Sequence, residues 1–178
     1  MILSICIPIY NTDIRPLATE LNRQIQAFSS EVELLFLDDA SDVFFKEKNR
    51  SVGKFSDYQE LPENIGRSKI RNAFIPFVKG KYMLFIDGDS QIIHADFIEK
   101  YVVKLRSSEV QVLIGASVYA DNMPSRDQRL RWTYSRTRES LTYAARMQNP
   151  NHGFKSNNFI IEKELFKNHP FDERLTTY

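Results

Sequence analysis

Three apolar runs that each close on a polar or acidic turn constrain this chain more than any other feature. Residues 3–9 run into Tyr10 and Asn11. Residues 31–37 run into Asp38 and Asp39, and residues 82–86 into Asp87, Gly88 and Asp89. Short apolar runs bounded by turn residues read as buried strands. Between the first two, Leu17, Leu21, Ile25 and Phe28 recur at helical spacing. Asp13 is placed to cap that helix, and Pro16 suits its first turn. A short helix and a third strand over residues 58–61 follow, then a turn over residues 63–66. Residues 67–77 read as a helix with Ile70, Phe74 and Phe77 on one face, ended by Gly80. Such alternation predicts an α/β fold: a mostly parallel central sheet flanked by helices, with right-handed crossovers. In such sheets ligands bind outside the carboxyl ends of the strands. All three polar tips open on that edge.

The tip at residues 82–90, YMLFIDGDS, carries the most chemistry. Alternate residues of an extended strand point opposite ways. Gly88 tolerates backbone angles that other residues avoid, so the turn can bring Asp87 and Asp89 to one point. Two carboxylates held that close repel unless a proton or cation intervenes. Mg²⁺ or Mn²⁺, hard ions that take oxygen ligands and bring phosphate oxygens with them, fit this pair. The competing reading is a solvated turn after a strand. The convergence of three polar strand ends favours the site.

Beyond the centre, Phe97, Ile98, Tyr101, Val102 and Leu105 form a helical stripe, and residues 110–114 a short strand. Residues 126–147 differ. Arg126, Arg129, Arg131, Arg136, Arg138 and Arg146 interleave there with Trp132, Tyr134 and Tyr143. Two readings stay open for this helix: an anion- or membrane-facing surface, or an exposed helix whose arginine stems cover apolar surface. A strand over residues 159–162 and a short helix over 163–168 complete the pattern.

The length of 178 residues allows one domain, 1–178, with a substantial core. A net charge of +1 excludes the basic excess typical of nucleic-acid binders. The single cysteine, Cys6, sits in the first apolar run, where packing is its expected role. One cysteine permits no internal disulfide and points to a reducing compartment. No signal peptide and no run of about 20 apolar residues is expected. The localisation read from this is the cytoplasm, with peripheral contact at the inner face of the cytoplasmic membrane as a further option.

The pieces SICIPIYN (residues 4–11), LDDASD (37–42), ENIGRSKIRN (63–72) and FIDGDS (85–90) together resemble the glycosyltransferase family 2 enzymes, which have a GT-A fold. NNFIIEKELF (157–166) and PFDERL (170–175) extend the match in order and spacing over nearly the whole chain. The resemblance implies transfer of a sugar from a nucleotide-diphosphate sugar, a UDP-sugar by family habit, to a glycan or lipid-linked acceptor. It implies inversion and dependence on Mn²⁺ or Mg²⁺. Pro8, Tyr10, Asn11 and Asp39 would cradle the base and ribose, since a carboxylate accepts bonds from a base N–H or ribose hydroxyls. Asn64, Gly66 and Arg67 would lie beside the base. Arg71 would pair with the acidic floor, or else be a surface arginine. Asp87, Gly88 and Asp89 would form the Asp-x-Asp motif, with Asp87 and Asp89 as metal ligands. Asn157 and Asn158 would line the sugar or acceptor pocket.

Inverting transfer also needs a general base. In the family it is an aspartate of a Glu-Asp type pair after the PFDERL piece. No such pair precedes Tyr178, and Asp172 and Glu173 match a structural segment instead. The expectation is a piece of a longer enzyme that binds donor weakly. Without its base it would transfer poorly, by roughly 10²–10⁴-fold. A sugar nucleotidyltransferase would show a glycine-rich loop after the first strand, where this chain reads PIYNTDIRP. A non-catalytic binding or assembly domain is the remaining alternative, and the intact Asp87–Asp89 pair argues against it.

Overall fold

The computed structural model describes residues 1–149 and 154–175. Its six strands are β1 (Leu3–Ile9), β2 (Val32–Asp38), β3 (Asp57–Glu60), β4 (Tyr82–Ile86), β5 (Val112–Ile114) and β6 (Asn158–Glu162). They form one sheet in the order β3-β2-β1-β4-β6-β5. The first four run parallel, and β6 runs antiparallel to both of its neighbours. The helices are α1 (Arg15–Ile25), α2 (Val43–Asn49), α3 (Arg67–Asn72), α4 (Phe97–Ser107), α5 (Arg129–Tyr134), α6 (Tyr143–Gln148) and α7 (Lys163–Asn168). The α/β architecture with a mostly parallel sheet is the one the alternation predicts.

Strand alternation sorts the core into two layers. Ile5, Ile7 and Ile9 of β1, with Leu84 and Ile86 of β4, pack with Leu17 and Leu21 of α1 and Val102 of α4. Cys6, Met83 and Phe85 point the other way, onto Ile70, Phe74, Phe159 and Phe166. Burial on both faces explains why these strands read as continuous apolar runs. Each fully buried Ile, Leu or Phe stabilises the fold by about 1.5–3 kcal/mol relative to exposure. Cys6 is a packing residue, fully buried, with its thiol pushed up by burial.

Several sequence expectations are corrected. The helix expected over residues 67–77 stops at Asn72 and gives way to turns, in which Ile75 donates to Asn72 and Phe77 to Phe74. Pro76 has no N–H to continue the ladder, and it disfavours helical angles at Ile75. The long helix expected over residues 126–147 is two helices. The first, α5, runs on through a π-turn over Ser135–Glu139, where the Ser140 N–H reaches back to the Ser135 carbonyl. α6 then restarts at Thr142, whose side-chain oxygen accepts the Ala145 N–H and caps it. The strands expected over residues 58–61 and 110–114 lie at Asp57–Glu60 and Val112–Ile114.

Candidate functional site

The carboxyl ends of β2, β1 and β4 lie side by side in the sheet. There the chain builds a cleft of about 240 Å³ lined by Pro8, Ile9, Tyr10, Thr12, Arg67, Ile70, Arg71, Asp87, Gly88 and Asp89. The tip of β1 is one wall, the tip of β4 another, and α3 the third. A larger hollow of about 360 Å³ lies around Ile2, Lys81 and Arg106, at the amino ends of β1 and β4 and away from the acidic tips. The residue chemistry favours the smaller cleft.

Gly88 works differently from the expectation. Its φ is not in the left-handed region. A Cβ there would lie 3.2 Å from the Pro8 carbonyl oxygen and 3.3 Å from Ile14 Cγ2. The missing side chain therefore lets the tip of β4 lie against the tip of β1. Among the described residues the glycine that needs unusual angles is Gly66, at φ 86° and ψ 167°, immediately before α3.

Arg71 is only 5% exposed, which removes the surface reading. Its Nη2 donates to Asp87 Oδ1 at 2.6 Å, and its Nη1 to the Arg67 carbonyl at 2.9 Å. Burial pushes the Asp87 carboxyl up, the Arg71 guanidinium holds it back, and the Asp89 charge adds to the rise.

Asn11, Asp39, Asn64 and Gly66 support the cleft from behind its lining. Asp39 is fully buried, and its carboxylate accepts the Ile65 N–H at 2.7 Å and the Gly66 N–H at 3.0 Å. Asn64 Nδ2 donates to the Asp39 carbonyl. Asn11, at φ 48°, accepts the Asp42 N–H on its side chain and donates its own N–H to Ser41 Oγ. Ala40 is also left-handed, at φ 57°. The tips of β1 and β2 are thereby laced together. Asn158 accepts from the Tyr101 hydroxyl and donates to the Ala116 carbonyl, while Asn157 bonds Ser117; neither lines the cleft.

Sequence reasoning missed Ile9, Thr12 and Ile70 in the lining, and also Asn49. Asn49 is fully buried; it accepts the Ile14 N–H and donates to the Thr12 carbonyl, fixing the loop between β1 and α1. A lone asparagine in a polar stretch gives no signal of that role. Ile70 was read as a core residue, and it serves both purposes.

Among the described residues no cluster of three or more His, Cys, Asp or Glu could enclose a metal ion. Asp87 and Asp89 fit a cation only as part of a shell completed by other oxygens. That is how Mg²⁺ is commonly held, with a carboxylate or two, substrate phosphates and water.

The parallel sheet with its acidic strand ends places the chain in a known class. It belongs to Glycosyl transferase family 2, which matches over residues 4–169. Its fold is GT-A, shared with several solved structures. S. aureus TarS 1-349 is similar at a TM-score of 0.72 and 20% identity, covering 99% of this chain and 52% of that one. TarS 1-349 is also known in complex with UDP and with UDP-GlcNAc. The mannosyltransferase PcManGT from Pyrobaculum calidifontis, in complex with GDP-Man and Mn²⁺, is similar at a TM-score of 0.59 and 16% identity, covering 96% of this chain and 47% of that one. Glucosyl-3-phosphoglycerate synthase from Mycobacterium tuberculosis, in complex with Mg²⁺ and uridine-diphosphate, gives 0.58 and 18%, covering 93% and 57%. The chain spans about half the length of these structures. No curated protein sequence matches it.

Proposed function

We propose that this chain carries the donor side of an inverting glycosyltransferase and binds a nucleotide-diphosphate sugar in the cleft at the ends of β1, β2 and β4. The observation that carries the reading is the pairing of the buried Arg71 with the half-buried Asp87 beside Asp89, at the carboxyl edge of the sheet. Structures sharing the fold are known with UDP, UDP-GlcNAc and GDP-Man, which supports a nucleotide sugar as ligand. A UDP-sugar is the donor we favour. The base and ribose lie against Pro8, Tyr10 and Arg67, on the rim that Asn11, Asp39, Asn64 and Gly66 hold in shape. Asp87, Gly88 and Asp89 face the diphosphate, with Asp87 and Asp89 holding Mn²⁺ or Mg²⁺; similar folds are known with each ion. When bound, such an ion stabilises the charge that gathers on a departing diphosphate. Arg71 orients Asp87 and places positive charge at the same end of the cleft.

We assign the general base to neither acid of the 170–175 segment. Asp172 pairs with Arg174, which holds its carboxyl below the usual range, and Glu173 accepts from Asn72. The acceptor we propose is a glycan or lipid-linked chain. The arm that carries α5 and α6 favours presentation at a membrane surface: Leu130 is 84% exposed and Tyr143 72% exposed, on helices rich in arginine. Binding to anionic vesicles tests that part.

Thermal unfolding with UDP or GDP, each with and without Mn²⁺, tests the donor site. At a nucleotide concentration about 100 times Kd, stabilisation is about 2.7 kcal/mol. At this chain length that raises Tm by roughly 5–10 °C. Asp89→Ala should abolish the part that depends on Mn²⁺. Absence of any shift with either nucleotide and Mn²⁺ overturns the reading in favour of a binding or assembly domain.

A further inference from the structure

We propose that Phe171 and Asn72 are positioning residues for the cation end of the donor cleft, acting through Arg71. The inference rests on the donor-site reading. Phe171 lies exactly one hundred residues beyond Arg71 in sequence, yet its ring sits over the guanidinium, 5.8 Å from Cζ to the ring centroid. Its backbone is pinned to the residue after Arg71. The Phe171 N–H donates to Asn72 Oδ1 at 3.0 Å, and the Phe171 carbonyl accepts from Asn72 Nδ2 at 3.0 Å. The same amide nitrogen reaches Glu173 Oε1 at 3.0 Å. The ring is held edge-on by Phe159 and Phe166, with centroids 6.2 and 5.8 Å away. Neither Phe171 nor Asn72 lines the cleft.

The physical chain is short. A free arginine side chain holds about 2 kcal/mol of rotamer entropy, so a guanidinium left unsupported samples many positions. A ring over its face adds a cation–π contact that strengthens as water is excluded. The Arg67 carbonyl and the Phe171 ring together fix where Nη2 can sit. Nη2 in turn fixes Asp87 Oδ1. The orientation of that carboxylate toward a cation therefore depends on a segment that touches neither cation nor nucleotide.

The test is calorimetric titration of Mn²⁺ in the presence of UDP, repeated with GDP, well below the Tm of each variant. Phe171→Leu keeps apolar volume and removes the ring face. Asn72→Ala removes the pin. Leu17→Ala, in α1, is a destabilised control far from Arg71. Phe171→Leu and Asn72→Ala should each raise the half-saturating Mn²⁺ concentration about tenfold, the scale of a desolvated cation–π contact. Affinity for the nucleotide without cation should stay within about twofold, well under the 1.4 kcal/mol of a tenfold change. Phe171→Tyr, which retains the ring, should restore the wild-type response. Variants that match wild type in Mn²⁺ response overturn this inference alone. A loss shared by Leu17→Ala marks a merely structural role and overturns it too. Wild-type protein that binds neither nucleotide with Mn²⁺ removes the donor-site reading and this inference together.

Discussion

Gly66 carries the backbone through φ 86° and ψ 167° just before α3, in a region that is essentially reserved for glycine. Its N–H and that of Ile65 both point at the buried Asp39 carboxylate. Gly66→Ala should therefore cost about 1–3 kcal/mol and lower Tm at roughly 2–4 °C per kcal/mol. Gly53→Ala is the comparison. A Cβ there meets only Tyr58 Cβ at 3.9 Å, and its φ is not left-handed, so it should be neutral or mildly stabilising. Equal melting shifts for the two variants would remove the argument. The left-handed residues at the strand tips show how legibility varies. Asn11 is named in the sequence by its place at the first strand tip and by the family resemblance, and asparagine tolerates φ > 0. Ala40 gave no warning. Alanine pays about 1–2 kcal/mol in that region, and its neighbours hold it there: the Asp39 N–H bonds the Ile9 carbonyl, and the Ser41 N–H bonds Asp38 Oδ1.

The elements that were legible are those decided by burial. β1, β2 and β4 are apolar on both faces, and their runs announce them. The arm between β5 and β6 was misread because its helical period continues across a break made by local bonds. At that break Glu139 accepts from the Tyr119 hydroxyl at 2.6 Å and pairs with Arg131 at 3.0 Å and Lys155 at 3.4 Å. The Tyr119 hydrogen bond is the largest cause holding its carboxyl at about 2, against an ordinary value of 4.5. The folded value lies below the unfolded one. This contribution is thus complete above the ordinary value and is lost as pH falls from there toward about 2. Trp132 is the single tryptophan, and its indole donates to the Ala120 carbonyl within the same arm. Its fluorescence should report an acid transition in that window, and Glu139→Gln should remove it. An identical transition in the variant would show that Glu139 is not its source.

At the scale of the molecule, charge is unevenly placed. The chain carries a net +1, yet residues 126–149 hold six arginines against Asp127 and Glu139, a local excess of four. Arg131 and Arg136 pair with Glu139 and Asp121, and Arg146 donates to the Ile114 and Gly115 carbonyls. Arg129 donates to the Pro124 carbonyl. Arg126, Arg129 and Arg138 are exposed, as are Leu130 and Tyr134. Each such arginine is worth about 1 kcal/mol at an anionic lipid surface. Arg126→Gln, Arg129→Gln and Arg138→Gln combined should weaken co-sedimentation with phosphatidylserine-containing vesicles about a hundredfold. Unchanged binding, or equal binding to neutral phosphatidylcholine vesicles, would remove the membrane reading. The reversed direction of β6 was not legible at all. Strand direction is settled by which edge the returning chain pairs with, and no local pattern records it.

That reversal has a consequence for how the architecture can vary. The Gly115 N–H donates to the Asn158 carbonyl at 2.9 Å, so the chain leaves the sheet and rejoins it at one point. Doubling the length of such a connection costs only about 0.6 kcal/mol in closure entropy. Connections of different length and surface can be accommodated there while β1, β2 and β4 keep their register.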